Sequence, residues 1–119
     1  MYKITVESSF SAAHHLRNYR GNCENIHGHN WKVLVTAKFG ELSSDGLTMD
    51  FRDLKDILQK ILDKIDHKDL NEIEYFKDKN PTSENIAEYI YRQIKEAGVP
   101  LGNVRIFETD KYSAEYSEN

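Results

Sequence analysis

One cysteine in 119 residues cannot make an internal disulfide, so the fold needs no oxidising compartment. No unbroken apolar stretch approaches the ~20 residues of a helix that crosses a bilayer. The opening M-Y-K-I-T-V-E-S-S-F alternates like a strand and lacks the apolar segment of a secretion signal. No run of lysine or arginine builds a basic stripe, and 16 basic against 20 acidic residues leave a net charge of −4. Neither nucleic acid nor membrane is therefore expected as a partner. Two prolines and six glycines are too few for a linker or a low-complexity region. What these absences leave is a cytoplasmic chain forming one domain over residues 1–119, large enough for a single core.

Within that chain, polarity alternates in two long stretches. Over residues 2 to 14, Tyr2, Ile4, Val6, Phe10, Ala12 and His14 share one parity, and Lys3, Thr5, Glu7, Ser9 and Ser11 hold the other. Over residues 27 to 39, His27, His29, Trp31, Val33, Val35, Ala37 and Phe39 share a face. Each reads as a half-buried strand of an antiparallel sheet. After a turn at S-S-D-G, Asp50 is placed to cap a helix whose stripe is Leu54, Ile57, Leu58, Ile61, Leu62 and Ile65. A polar loop then leads to N-P-T-S-E-N, where Thr82 or Ser83 can cap a second helix with the stripe Ile86, Tyr89, Ile90, Ile94 and Ala97, stopped at Gly98. Two shorter strands are predicted near 103 to 108 and 112 to 116. The order predicts an α+β fold: an antiparallel four-stranded sheet with two helices on one face. Its uncovered face and edges would suit a closed homo-oligomer.

The chemistry concentrates in C-E-N-I-H-G-H-N-W, residues 23 to 31, which holds the cysteine and two of five histidines. Side chains at i and i+2 of a strand point the same way, about 7 Å apart. His27 and His29 can therefore face a common ion, but two imidazoles make a poor site and a third ligand is required. Parity selects His14 over His15, provided no bulge precedes it. A lone histidine on an apolar strand face is more often a hydrogen-bonded core residue. Three of matching parity on neighbouring strands favour a metal; all-imidazole ligation suits Zn2+, and the ligand type also admits copper, iron or nickel.

Cys23 leaves a fork. It closes a His3Cys structural zinc site, or it stays free as a base or nucleophile beside the metal. A free thiol ionises near pH ~8.5, so the second option needs a partner. Asp66-His67 after the first helix offers one, although a solvated helix end explains that pair equally well. Glu108 ends an apolar parity run with Val104 and Ile106, and reads either as an edge residue in solvent or as an acceptor for a ligand with adjacent N–H groups.

Six blocks in order, F-S-A-A-H (10–14), C-E-N-I-H-G-H-N (23–30), M-D-F (49–51), L-D-K-I-D-H (62–67), P-T-S-E-N (81–85) and F-E-T (107–109), resemble the 6-pyruvoyl-tetrahydropterin synthase family from about residue 4 to about residue 116. The short spacing from Cys23 to His27 resembles the bacterial 6-carboxy-tetrahydropterin synthases of the queuosine route, rather than the animal-type 6-pyruvoyl enzymes. The resemblance implies a T-fold whose subunits close into trimeric barrels, often stacked as hexamers, with sites between chains. It implies zinc on His14, His27 and His29, a catalytic thiol at Cys23 and a partner dyad at Asp66 and His67. The pterin anchor would be Glu108, with Thr82 and Ser83 helping to hold the ring. The implied substrate is a small-molecule pterin triphosphate, 7,8-dihydroneopterin triphosphate. Arg17, Arg20 and Lys111 are the nearby candidates in sequence for its phosphates.

Overall fold

The computed structural model describes residues 1–21 and 24–118. Its elements run β1 (Tyr2–His14), β2 (His27–Phe39), α1 (Phe51–Leu62), β3 (Lys68–Asp69), α2 (Ser83–Glu96), β4 (Leu101–Thr109) and β5 (Tyr112–Tyr116). They form one sheet in the order β3-β1-β2-β4-β5. The long pair β1–β2 is antiparallel without a break, from Tyr2 opposite Phe39 to His14 opposite His27. The alternation read from sequence is therefore the pleat itself: Val6, Phe10, Ala12, Trp31, Val33 and Val35 are buried on one face. Thr5 and Thr36 meet on the other, with their hydroxyls 2.8 Å apart.

Both helices cover the apolar face. Asp50 caps α1 by accepting the Arg52 N–H, and Thr82, not Ser83, caps α2 by accepting the Asn85 N–H at 3.1 Å. Leu54, Leu58 and Leu62 of α1 and Ile86, Ile90 and Ile94 of α2 are fully buried against the strands. Gly98 ends α2 in the left-handed region at φ 88°. No helix among the described residues is long and apolar enough to cross a membrane.

Three expectations need correction. The sheet has five strands, because Lys68 and Asp69 pair in parallel with Ala12 and Ala13 on the outer edge of β1. Two polar residues carry no periodicity, so this strand has no signature in sequence. Helix α1 ends at Leu62, so Ile65, expected on its stripe, lies in the following turn yet is fully buried, and the polar connection beyond it buries Leu70 and Phe76 in short 3₁₀ turns at Leu70–Glu72 and Glu74–Phe76. Ala97 is exposed because it lies at the C-cap, past the helix end at Glu96, while Ala87 and Tyr91 widen the buried stripe of α2. Within one chain the sheet is open, with β3 and β5 at its edges.

Gly98 supplies a direct check on the α2 terminus. No atom lies near the position of an added Cβ, so a substitution there meets only backbone strain. Gly98→Ala is expected to lower stability by about 1–2 kcal/mol, measured by urea unfolding.

Candidate metal centre

The register that builds the core also builds the site. His14 ends β1 directly opposite His27, and Ala12 lies opposite His29, so three imidazoles meet at one end of the β1–β2 pair. Their ring centroids are 4.6, 5.3 and 5.0 Å apart. Trp31 forms the floor, with its ring 4.9 Å from that of His14 and 5.3 Å from that of His29. It is stacked in turn on Phe10, and its Nε1–H donates to the Ala12 carbonyl at 3.3 Å. His14 and His29 thus continue the hydrophobic core, while His27 at the start of β2 is exposed.

Backbone carbonyls orient two of the rings. His14 Nδ1 lies 2.8 Å from the Pro81 carbonyl, and His27 Nδ1 lies 2.9 Å from the Asn25 carbonyl. A carbonyl only accepts, so each Nδ1 carries the proton and each Nε2 is left with its lone pair. This is the outer support that metal-ligating histidines usually have. His14 is 3% exposed, and its Nε2 is buried with no hydrogen-bond partner, as is that of His29. One ligand atom each from His14, His27, His29 and Glu108 falls within 4.8 Å of all the others. Orphaned, converging imidazole nitrogens fit a transition-metal ion such as Zn2+.

Glu108 comes from the far end of β4, where the register with β5 shifts between Phe107 and Thr109. A bulge of this kind re-aims a side chain. Its Oε1 stands 3.2 Å from Nε2 of both His14 and His29, though aligned for a hydrogen bond with neither. Burial holds the His29 pKa below its ordinary value against the opposing pull of Glu108. The neutral ring that burial favours is the ligating form. A cavity of about 380 Å³ opens beside this group, lined by His14, His27, Glu108, Thr82, Ser83 and Glu24 among others.

The remaining residues singled out in sequence are placed differently. His15 stays out of the cluster, its backbone exchanging two hydrogen bonds with the Asn71 amide. Cys23 lies outside the described residues. Its neighbour Glu24 is tied to Leu16 twice, by N–H to carbonyl at 2.9 Å and by carboxylate to N–H at 3.0 Å. Asp66 and His67 sit on the outer edge of β1, where Asp66 accepts the Ser11 N–H at 2.9 Å and His67 donates its own N–H to the Ser11 carbonyl at 2.5 Å. His67 Nδ1 is 3.0 Å from Asp66 Oδ1, and the His67 side chain is 79% exposed. A second cavity, of about 510 Å³, is lined by His67 at one side and by Gly28 and His29 at the other. Arg17 is turned to the backbone, its Nη2 donating to the Phe76 and Lys79 carbonyls. Arg20 lies over the Tyr19 ring, and Lys111 is exposed in the β4–β5 turn.

Sequence reasoning missed the Pro81 and Asn25 carbonyls, which no side-chain pattern can reveal. It also missed that Glu108 faces the histidines, although the parity of Val104, Ile106 and Glu108 put it on the correct side.

The Asp66 edge yields a pH test. The Ser11 N–H, with His67 second, holds the Asp66 carboxyl below the usual carboxylate range. A folded-state value below the unfolded one stabilises above the unfolded value, near 3.9, and that stabilisation is lost as pH falls through the folded value. Asp66→Asn is therefore expected to be less stable than the wild type at pH 7, with the gap closing below about pH 4. Urea midpoints at pH 7 and pH 3 measure it.

Comparison with known proteins agrees with this architecture. The 6-pyruvoyl tetrahydropterin synthase family matches residues 3–119. A putative 6-carboxy-5,6,7,8-tetrahydropterin synthase of Archaeoglobus fulgidus is 41% identical over 113 residues, covering 94% of this chain and 92% of that protein. A 6-carboxy-5,6,7,8-tetrahydropterin synthase of Synechocystis is 38% identical over 122 residues, covering 98% and 93%. The structure of Caenorhabditis elegans 6-pyruvoyl tetrahydropterin synthase superposes with a TM-score of 0.84 at 32% identity, covering 100% of this chain and 98% of that one. Likeness in sequence and in fold, each across nearly the whole chain, makes it a member of the 6-pyruvoyl tetrahydropterin synthase family.

Proposed function

We propose that this chain is a zinc-dependent lyase converting 7,8-dihydroneopterin triphosphate to 6-carboxy-5,6,7,8-tetrahydropterin, acetaldehyde and triphosphate, in queuosine biosynthesis in the cytoplasm. The observation that carries the reading is the convergence of His14, His27 and His29 with Glu108, two of the rings oriented by carbonyls, beside a cavity that His14, His27, Glu108, Thr82 and Ser83 line. The three-residue spacing between Cys23 and His27, and relatives named as 6-carboxy synthases, favour the 6-carboxy product over the 6-pyruvoyl one.

Each residue has an assigned task. His14, His27 and His29 hold Zn2+, which when bound supplies Lewis acidity to the substrate's side-chain hydroxyls. Glu108 takes the ring N–H and 2-amino group of the pterin, fixing which carbons face the thiol. Thr82 and Ser83 sit at the edge of the same cavity as further contacts. Cys23 moves protons at the side-chain carbons, and Asp66 with His67 keeps its thiol partly ionised. Because Asp66 and His67 lie on the open outer edge of β1, that dyad would act in the site of a neighbouring subunit. Trimers or hexamers closing the sheet edge to edge supply such a neighbour.

The alternative outside enzymes is a His3Cys structural zinc module. Cys23→Ala separates the two readings. The enzyme is expected to keep its zinc and lose about 10²–10⁴-fold in turnover, whereas a structural site loses the metal together with the thiol. Metal content by atomic absorption, alongside a turnover assay, decides. Zinc-loaded protein incubated with 7,8-dihydroneopterin triphosphate is expected to release acetaldehyde and a pterin with the mass of the 6-carboxy product. A product with the mass of 6-pyruvoyl-tetrahydropterin and no acetaldehyde would reassign the reaction.

A further inference from the structure

A carboxylate that serves only to hold a pterin has no reason to face the histidines, yet Glu108 Oε1 is equidistant, at 3.2 Å, from Nε2 of His14 and of His29. At His14 one ring nitrogen is already committed to a backbone carbonyl. Nδ1 donates to the Pro81 carbonyl, so Nε2 of the neutral ring presents a lone pair. A lone pair and a carboxylate oxygen at that separation repel unless a positive charge lies between them. A proton is a poor candidate, since neither nitrogen is aligned with Oε1 for a hydrogen bond and His14 is almost wholly buried. A cation bound by all four groups accounts for both the spacing and the misalignment. Two ligands at ~2.0–2.1 Å from a tetrahedral ion lie about 3.3 Å apart, the spacing Glu108 keeps to His14 and His29, while all four ligand atoms including that of His27 lie within 4.8 Å of one another.

We infer that Glu108 is the fourth metal ligand of the resting protein, and that it exchanges the metal for the pterin when substrate enters. The inference rests on the metal-dependent pterin chemistry proposed above and adds a second position for one of its residues. In the first position the carboxylate closes the coordination sphere, so the ion is shielded while no substrate is present. In the second it turns into the 380 Å³ cavity that it lines with Thr82 and Ser83, leaving an open coordination position. The register shift around Glu108 in β4 and its 32% exposed side chain leave room for that turn.

The test needs no turnover. Metal-free protein is titrated with Zn2+ against a chromophoric chelator, and the Co2+-loaded protein is examined by visible absorption. Glu108→Gln, which keeps the shape and removes the charge, is expected to bind Zn2+ at least ~10-fold more weakly and to shift the Co2+ bands. His27→Ala, with circular dichroism as the folding control, is expected to lose binding by a larger factor. If Glu108→Gln leaves affinity and bands unchanged while His27→Ala abolishes binding, the fourth-ligand inference is overturned and the three-histidine site stands. If His27→Ala binds as tightly as the wild type, the metal reading itself fails, and the inference with it. An arm without variants tests the exchange: neopterin added to the Co2+-loaded wild type should shift the bands. Neopterin binding by calorimetry with unchanged bands would overturn it.

Discussion

The pairing of β1 with β2 is the constraint on which everything else depends. Its thirteen consecutive partners fix the alternation along both strands, so the same register that buries Phe10 and Trp31 sets His14 across from His27. A slip of one residue would send both sets of side chains to the opposite face. The cost of such a slip is the whole apolar face of two long strands, several side chains at about 1.5–3 kcal/mol each. The core therefore guards the geometry of the metal centre, although no core residue would ligate the ion.

Position at the end of the core also sets the electrostatics. Trp31, stacked on Phe10, removes water from beneath His14 and His29, and this burial favours the neutral ring of His29 and strengthens any attraction between Glu108 and a cation. The same desolvation makes the orphaned Nε2 atoms of His14 and His29 costly unless something fills the space between them. Stability and ligation are in tension here, and the tension is local. One turn away, Asn80 exchanges two hydrogen bonds with the Arg17 backbone, and Asn85 donates to the Asn80 carbonyl, steadying the segment that presents Pro81 to His14. The loops around the centre are thus braced by satisfied polar groups, while the centre itself is left unsatisfied.

What sequence could reveal followed from period and spacing. The two long strands were legible to the residue because thirteen alternating positions leave little freedom, and Asp50 and Gly98 marked helix ends by their chemistry. The third histidine was legible for the same reason, since no bulge interrupts β1. The strand Lys68–Asp69 was not, because its pairing is purely backbone, and neither were the carbonyls of Pro81 and Asn25. Thr82 shows the limit from another side: it caps α2 and lines the cavity, and sequence cannot divide one hydroxyl between two duties. Glu108 was legible in its facing but not in its partner, which only the order of β1, β2 and β4 in the sheet supplies.

The placement of Asp66 and His67 follows from the same edge. The N–H and carbonyl of Ser11 point away from β2, and they are taken by Asp66 and His67 before Lys68 and Asp69 continue alongside. His67 adopts φ 59°, a conformation that ordinary residues avoid, and the two bonds to Ser11 offset that strain. Its side chain is exposed, with Nδ1 3.0 Å from Asp66 Oδ1, so the segment joins the edge of β1 through backbone bonds and not through burial of the ring. The pair thus stands on the side of β1 that faces away from β2, apart from the three imidazoles at its other face. One strand therefore offers His14 from its inner face and holds Asp66 and His67 on its outer edge, and both placements depend on the one register that the apolar residues between them enforce.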